Sequence, residues 1–359
     1  MFMCRSFSAS LRNVMPAWVI DKYGENEVLR FTKNVHAAGL NPLDISMRGG
    51  YGAAAMAMKR DPLNMKESGS EFPLILARDV SGEIMECGLD ASVCLFSQVW
   101  AAIPPWKQGS LAEFVVLSAN EVSHKPKSLR HAEAASIPYA AATAWSALVT
   151  TGGLNKDNSS QKCVLILGGS GGVGTLAIQM VKAWGAHVTV TCSQNAERLV
   201  RDLGADDVVD YTAGPVEKQL QTLQKFDLIL DNIGGESEKW ALDFLKPWNG
   251  AKYVTLVKPV LHNTDRLGLA GGMMQSGVTL GCKVLKHLRK GVYYRWGFFA
   301  PSGPTLDEIS EMLERYRSLC VRPVVEEVFS FAQVPQAFQK VEQGHARGKT
   351  VVSIEDQKE

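Results

Sequence analysis

The chain has 359 residues, of which 46% are hydrophobic and 21% are charged, and its formal net charge is +1. This length exceeds what one ordinary core accommodates and predicts two domains of a globular protein. A net charge this small gives no reason to expect nucleic acid or an anionic membrane as a partner. No stretch approaches the roughly 18 consecutive apolar residues of a membrane-spanning helix, so none is predicted.

The seven cysteines are scattered without a Cys-x-x-Cys pair, as is typical of reduced thiols in an intracellular compartment. The first fifteen residues carry Arg5, Arg12 and three serines, and no acid precedes Asp21. Such a composition is typical of a mitochondrial transit peptide, although an N-terminus without a targeting role looks the same. We therefore predict a targeting segment over 1–15 and a mitochondrial protein, in the matrix or associated with a membrane.

Along the chain, residues 16–135 are interrupted by Gly and Pro and contain short β-type runs such as VSGEIMEC and AEFVVLS, which predict an irregular β-rich domain. The helical run PYAAATAWSALVTTGG then leads to four strand-like segments, KCVLILGG, AHVTVTCS, FDLILDNIGG and AKYVTLV. Helical stretches separate these segments, so the pattern predicts an α/β domain with a doubly wound parallel sheet over 136–294. Residues 295–359, with a helix LDEISEMLERY and a strand GKTVVSI, are assigned to the β-rich domain.

The first strand of the α/β domain runs into GGSGGVG, in which Gly169, Gly171 and Gly174 fit the pattern G-x-G-x-x-G. A strand before it and a helix after it are the context in which this pattern binds a dinucleotide. One glycine makes the tight turn, the next lets the backbone approach a pyrophosphate, and the third lets the helix lie close to the strand. The helix N-terminus then offers unpaired N–H groups to phosphate, so the sequence predicts a dinucleotide site here.

The end of the second strand bears on which dinucleotide binds. A NAD site usually places Asp or Glu there to bind the ribose 2′-hydroxyl. Here the strand ends in Thr191, Cys192, Ser193 and Gln194, and the first acid is Glu197. Without a carboxylate to repel it, a 2′-phosphate can be accepted by Ser193 and by backbone N–H groups, which favours NADPH. The alternative is that Ser193 is only a turn residue and that the site takes either dinucleotide.

Several blocks of the chain carry a family resemblance: HAAGLNPLDISMRGGYG (36–52), RDVSGEI (78–84), GSLAEFVV (109–116), LGADDVVDY (203–211) and GHARGKTVV (344–352). With the glycine motif, they resemble the zinc-free quinone oxidoreductase branch of the medium-chain dehydrogenase/reductase superfamily, over nearly the whole chain after Pro16. The resemblance implies a Rossmann domain beside a GroES-like acceptor domain. It also implies NADPH as cofactor and a quinone or related conjugated carbonyl as acceptor.

The resemblance also assigns site residues. Asn41 and Tyr51 would face the nicotinamide and the acceptor; their alternatives are a turn residue before Pro42 and an ordinary half-buried tyrosine. Another set would hold the pyrophosphate, the adenosine 2′-phosphate, the nicotinamide half and, through a C-terminal loop, the outer face of the cofactor. In that order, its members are Ser170, Gly171, Gly172 and Val173; Ser193 and Tyr211; Leu256; and His345, Ala346 and Arg347.

The sequence lacks zinc ligands at the positions where zinc-bearing relatives have them. Zinc-bearing relatives have Cys where Asn41 stands and His-Glu where Arg78 and Asp79 stand, besides a lobe of four cysteines. Tetrahedral zinc needs three or four ligands, so no metal is predicted. Asp79 and Asp231 each lie beside a strand end and are predicted to cap helices or hydrogen-bond turns. The implied chemistry is hydride delivery to a conjugated acceptor, with Tyr51 as hydrogen-bond donor to the acceptor oxygen.

The chain departs from the family pattern on the acceptor side. In FTKNVHAAG, two blocks meet that relatives separate by a linker and a strand, so a strand is predicted to be missing near 31–35; Ala77 replaces a usual glycine. Losing a strand would expose the edges of the sheet. The missing strand indicates either an unusual transcript or gene model, or a paralogue with a decayed acceptor domain.

Two functions remain open at this point. The first is an NADPH-dependent oxidoreductase that reduces a quinone or related conjugated carbonyl in mitochondria, with ubiquinone metabolism as a context. The second is an NADPH-binding interaction protein with little or no turnover, whose partner is a reticulon or another protein. Asn41 and Tyr51 favour the enzyme, and the missing strand favours the interaction protein. The resemblance allows a homodimer, for which the sequence holds no evidence of its own.

Overall fold

The computed structural model describes residues 2–4, 17–20, 29–30, 36–60, 72–87, 96–315 and 322–354. The strand predicted to be missing near 31–35 lies outside these residues, as does nearly all of the predicted targeting segment. Across the residues that are described, none of the helices combines the length and apolar character needed to cross a membrane.

The first third of the chain folds mainly into short strands. Its elements are β1 (Phe2–Cys4), β2 (Val19–Ile20), β3 (Leu29–Arg30), β4 (Ala37–Leu40), α1 (Pro42–Arg48), α2 (Ala53–Arg60), β5 (Leu74–Ile75), β6 (Asp79–Cys87), β7 (Gln98–Ala102), β8 (Val116–Leu117) and β9 (Val122–His124). Helix α1 starts at Pro42, whose fixed φ suits a first helical residue. The backbone N–H of Asn41 donates to the Asp44 carboxylate at 2.9 Å, which holds the start of this helix.

Helices and strands alternate through the middle of the chain. The elements are α3 (His131–Ala134), α4 (Pro138–Trp145), β10 (Cys163–Leu167), α5 (Gly172–Ala183), β11 (His187–Cys192), α6 (Glu197–Asp202), β12 (Asp207–Asp210), α7 (Val216–Leu220), β13 (Leu228–Asp231), α8 (Glu236–Ala241), β14 (Lys252–Thr255), α9 (Val260–Leu288) and β15 (Tyr293–Trp296). The last part holds α10 (Gly303–Arg315), β16 (Val325–Ser330), α11 (Val334–Glu342) and β17 (Lys349–Ser353). Helix α9 is kinked at Gly268, where φ is 71°.

In the described part of the chain, six parallel strands form one sheet in the order β12-β11-β10-β13-β14-β15. Helices α4, α5 and α10 cover one face, where Ile166 and Val190 are fully buried. Helices α8 and α9 cover the other face, over Leu165 and Tyr253. The sheet is therefore doubly wound, as predicted. Its strand order reverses between β10 and β13, and such sheets bind ligands at the carboxyl ends of the strands at this point.

A mixed sheet of eight described strands forms the second body of structure. Strand β17 pairs with β16 in parallel and with β4 antiparallel, in a register that sets Thr350 opposite Leu40. Strand β6 pairs with the other side of β4 and sets Asp79 opposite Gly39. The C-terminal strand thereby brings Lys349 to the end of β4, beside Asn41. The backbone of β1 also joins this sheet, between β6 and β8.

The structure adds elements that the sequence did not predict. Four strands are predicted for the parallel sheet, and β12 and β15 are two more, at its two edges. Their sequences, DVVD and YYRW, lack the continuous apolar run of the central strands, because an edge strand is less completely covered. Helix α9 contains five glycines, which lower its helix propensity. Strand β15 ends at Trp296, beyond the predicted boundary at 294; the division into domains stays a prediction.

Candidate functional site

A cavity of about 1150 Å³ joins the carboxyl edge of the parallel sheet to the mixed sheet. Every predicted site residue lines it except Ser193 and Arg347. The cavity exceeds the upper end of the roughly 300–1,000 Å³ range of small-molecule sites, so it has room for a dinucleotide together with a small acceptor.

The three motif glycines play three different steric roles. A Cβ at Gly169 would lie 2.0 Å from Val190 Cγ1, so the turn after β10 can pass beside β11 only without a side chain. A Cβ at Gly174 would lie 2.4 Å from the carbonyl oxygen of Gly168, so this glycine lets α5 lie against the strand end. A Cβ at Gly171 would meet nothing within 4 Å. Neither folding nor packing requires that glycine, and the open space beside it fits a ligand that approaches the backbone.

Gly171 is also the N-cap of α5, which begins at Gly172. The first N–H groups of a helix have no intrahelical acceptor and carry a partial positive charge. Ser170, Gly172 and Val173 line the cavity at this helix end. The donor set is therefore that of a pyrophosphate site, and the residues present fit the dinucleotide that the sequence predicts.

The residues predicted to bind the adenosine half of the cofactor lie where β11 and β12 finish. Ser193 follows β11 and is half-buried but outside the cavity lining. Tyr211 follows β12, and its hydroxyl lies 3.3 Å from His345 Nδ1. Strand β12 ends in a carboxylate, Asp210, which accepts hydrogen bonds from the Thr212 backbone N–H and hydroxyl at 2.8 and 2.6 Å. These bonds lower the pKa of Asp210, so it stays ionised at the end of β12.

The C-terminal loop before β17 contacts the glycine loop directly. The backbone N–H of Gly348 donates to the Ser170 carbonyl at 2.9 Å, and Gly348 forms a parallel bridge with Gly171. His345 and Ala346 line the cavity. Arg347 does not: its backbone N–H donates to the Glu326 carboxylate at 2.9 Å, and its guanidinium lies 4.0 Å from the same group.

Asn41, which is predicted to face the nicotinamide and the acceptor, lines the cavity and lies inside a buried polar cluster. The Lys349 ammonium donates to the Leu40 carbonyl, to Asn41 Oδ1 and to Asp79 Oδ2, at 2.8, 2.5 and 2.9 Å. Asn41 Nδ2 donates to the same Asp79 oxygen at 2.9 Å. The side-chain amide of Asn41 is therefore fixed in one orientation by two charged partners. Its second amide hydrogen has no acceptor among the described residues and is available to a ligand.

Asp79 does more than the sequence predicts. Its Oδ1 accepts the backbone N–H of Tyr139 in the first turn of α4, which is a capping contact as predicted. Its ion pair with Lys349 is the contact that sequence reasoning missed, because the two residues are 270 positions apart. Asp231 accepts the backbone N–H groups of Ile233 and Gly234, each at 2.9 Å, as a turn residue does.

The zinc-ligand positions of relatives hold a different arrangement here. The Arg78 guanidinium lies 3.4 Å from the Asp44 carboxylate and donates to the carbonyls of Ile75, Pro104 and Lys107. Burial raises the pKa of Asp44, and Arg78 opposes that rise. Within the described ranges, no group of three or more His, Cys, Asp or Glu side chains is arranged to hold a metal ion.

Aromatic side chains line part of the same cavity. Tyr51 is half-buried there, and the Asp265 carboxylate of α9 holds its loop by accepting the backbone N–H of Gly52 at 2.6 Å. Burial and the charge of Asp265 raise the pKa of Tyr51, so its phenol stays a neutral hydrogen-bond donor. Tyr139 stacks on Phe299 with 4.1 Å between ring centroids.

Lys258 is a cavity residue that sequence reasoning missed. It follows β14, close to Leu256, and its ammonium donates to the Gly297 carbonyl at 2.5 Å. The same group lies 4.2 Å from the ring centroid of Phe298. Burial lowers the pKa of Lys258 to about 8. The only signal in the sequence is a single lysine in the apolar run TLVKPV directly after a strand.

Known proteins of similar sequence and structure point to one family. A family model described as zinc-binding dehydrogenase matches residues 203–352. The NAD(P)H oxidoreductase RTN4IP1, mitochondrial, of Danio rerio is 80% identical to this chain over an alignment of 371 residues. The alignment covers 99% of this chain and 95% of that protein. Reticulon-4-interacting protein 1, mitochondrial, of Caenorhabditis elegans is 32% identical over 95% of this chain and 91% of that one. The structure of the quinone oxidoreductase from Coxiella burnetii matches with a TM-score of 0.76 at 26% identity, covering 95% and 99% of the two chains.

The two sheets and the dinucleotide cavity thus define an oxidoreductase of the medium-chain dehydrogenase/reductase class. At the identities found, the chain belongs to the family of mitochondrial NAD(P)H oxidoreductases named RTN4IP1. The predicted family, the mitochondrial location and a nicotinamide cofactor are thereby confirmed. The preference for NADPH, the acceptor and the roles of the site residues stay predictions.

Proposed function

We propose that this protein is an NADPH-dependent reductase of a quinone or a related conjugated carbonyl, acting in mitochondrial ubiquinone metabolism. The observation that carries the proposal is the continuity of one cavity. It runs from the glycine loop at the start of α5 to an apolar end lined by Tyr51, Tyr139 and Phe298. A flat conjugated acceptor fits between such aromatic walls, next to the sheet edge where the nicotinamide half would lie.

Residues of the chain would contact the cofactor in four places. Ser170, Gly171, Gly172 and Val173 would bind the pyrophosphate through backbone N–H groups. Ser193, Tyr211 and His345 would receive the adenosine 2′-phosphate, since β11 ends without a carboxylate. Leu256 would pack against the nicotinamide half, and Ala346 and Arg347 would belong to the covering loop. When bound, the dinucleotide supplies the hydride ion and its two electrons.

On the acceptor side, the protein supplies orientation and a polar floor. Asn41, fixed by Asp79 and Lys349, would present its remaining amide hydrogen to the nicotinamide or the acceptor. Tyr51 would donate a hydrogen bond to the acceptor oxygen as negative charge develops there. An acceptor that fills the apolar part of the cavity would displace water, which would strengthen both hydrogen bonds.

The names of relatives favour a second candidate function. One relative is called a reticulon-interacting protein. The second proposal is therefore a NADPH-binding protein with little or no turnover, whose partner is a reticulon or another protein, with a homodimer as a further association to be tested. It needs the dinucleotide site but not the acceptor end of the cavity.

One experiment separates these proposals. The full chain is titrated with NADPH and with NADH, and NADPH oxidation is then followed with a panel of quinones and enones. We expect tighter binding of NADPH and turnover with a quinone, and the Tyr51→Phe variant should lose about tenfold in kcat/KM with unchanged NADPH affinity. Equal affinity for NADH would contradict the NADPH preference. NADPH binding without turnover of any acceptor would support the interaction protein instead.

A further inference from the structure

Three lysines line the cavity, and their partners differ. Lys340 forms an ion pair with Glu326 at 2.9 Å, and Lys349 donates all three of its N–H groups to buried oxygens. Lys258 donates one hydrogen bond, to the Gly297 carbonyl, and has no carboxylate partner among the described residues. Two N–H groups of its ammonium therefore remain for a ligand. Of the three lysines, Lys258 is therefore the one whose ammonium can donate hydrogen bonds to a ligand in the cavity.

The position of Lys258 sets it at the acceptor end. It follows β14, whereas the glycine loop follows β10, two strands away, which corresponds to about 10 Å across the sheet. The adenosine side lies in the opposite direction, beyond β11. Leu256 and Leu261, near Lys258 along the chain, line the same cavity, and Phe298 contacts its ammonium. The π face of Phe298, 4.2 Å from the charge, stabilises the ammonium without neutralising it.

We propose that Lys258 is a catalytic residue of the acceptor site, which binds the acceptor oxygen and donates the proton that completes its reduction. The inference rests on the proposed function, since it assumes a carbonyl acceptor. The acceptor gains a hydride ion and its two electrons from the bound nicotinamide and becomes an oxyanion. An N–H bond of the Lys258 ammonium then breaks and an O–H bond forms on that oxygen. The neutral amine afterwards regains a proton from water.

Among the cavity groups, Lys258 is the best matched to this role. A general acid works best when its pKa lies near the working pH, and burial lowers the pKa of Lys258 to about 8. Burial raises the pKa of both Tyr51 and Tyr139, so these phenols release a proton less readily. The other titratable groups of the cavity lie at its dinucleotide end or are ion-paired: Cys192, Tyr211, Glu326, Lys340, His345 and Lys349.

The test uses the full chain and its Lys258→Gln, Lys258→Met and Lys258→Arg variants. Glutamine keeps a hydrogen-bond donor for the Gly297 carbonyl but has neither charge nor a transferable proton, and it is the matched control for a structural role. Two readouts are taken on each folded variant. The first is kcat/KM for a soluble quinone against pH. The second is binding of 4-nitrophenol to the NADP⁺-loaded protein, in which only the coloured phenolate form mimics the oxyanion.

For the parent chain, we expect kcat/KM to fall tenfold per pH unit above about pH 8 and 4-nitrophenol to bind as the phenolate. The Gln and Met variants should lose about a hundredfold in kcat/KM at neutral pH, lose that pH dependence and bind the phenolate at least tenfold more weakly. The Arg variant should keep phenolate binding and shift the fall in kcat/KM to higher pH.

A Gln variant that keeps the parent's kcat/KM, pH profile and phenolate affinity would overturn the proposal and leave Lys258 a support for the backbone at Gly297. In that outcome quinone turnover, and with it the proposed function, still stands. If no quinone is reduced but phenolate binding depends on Lys258, the proposed function fails and the oxyanion site is supported.

Discussion

Replacing Gly171 by Asp separates ligand binding from folding. The φ and ψ angles of Gly171 are −76° and 175°, which any residue adopts, and an added Cβ meets no atom within 4 Å. The aspartate therefore fits the fold but places a negative charge in the pyrophosphate site. Two unit charges about 5 Å apart repel by about 3 kcal/mol at an effective dielectric constant of about 20. That free energy corresponds to about a hundredfold weaker NADPH binding.

The assay is a fluorescence titration with NADPH, paired with a thermal unfolding curve on the same samples. Gly171→Ala is the matched control, because it adds the Cβ without the charge, and it should bind NADPH within a few-fold of the parent. All three proteins should unfold at nearly the same temperature. A folded Gly171→Asp protein with the parent's NADPH affinity would refute the assignment of the pyrophosphate to this loop. A control that loses as much affinity would show that space, not charge, is limiting.

Two further substitutions and one change of pH test packing and burial in the fold. Gly174→Ala would place a methyl group 2.4 Å from a backbone carbonyl oxygen, and we expect a loss of about 1–3 kcal/mol in the free energy of unfolding by urea. Asp79→Asn leaves the Lys349 ammonium buried without a counter-charge; we expect a loss of about 3–5 kcal/mol, and the double variant with Lys349→Met should regain part of it. Burial lowers the pKa of His131 from 6.5 to about 4, so protonation favours the unfolded chain. Stability should be retained above about pH 6.5 and fall as the pH drops towards 4, and unfolding curves of His131→Asn should show a weaker dependence.

The sequence could predict those parts of the site that local chemistry determines. The glycine loop is one: its pattern and its place between a strand and a helix are readable from seven consecutive residues, and the structure has the expected turn. Ala77 is another. The family resemblance marks it as standing at a glycine position, and its backbone has φ of 68°, in the left-handed region that glycine adopts without strain.

Contacts between distant segments could not be predicted in the same way. Lys349 reaches Asn41 and Asp79 only because β17 pairs with β4, and that register depends on the whole mixed sheet. In the sequence, Lys258 is a single charge in an apolar run. In the fold, the loop after β15 contacts its ammonium through Gly297 and Phe298. In both cases the residue type is visible in the sequence, but its chemistry depends on neighbours that only the tertiary fold supplies.

The same strand pairing connects the two ends of the site. Gly348 is bonded to the glycine loop through Ser170, and the next residue, Lys349, holds Asn41 at the acceptor floor. A Cβ at Gly172 would lie 2.7 Å from Lys349 Cδ, so a side chain at the first residue of α5 would displace the lysine stem. The loop that would bind pyrophosphate is thus in contact with the side chain that orients the acceptor floor. The orientation of Asn41 and the contact that holds the glycine loop therefore depend on the same C-terminal strand, so a substitution at Gly348 or Lys349 should disturb both ends of the cavity.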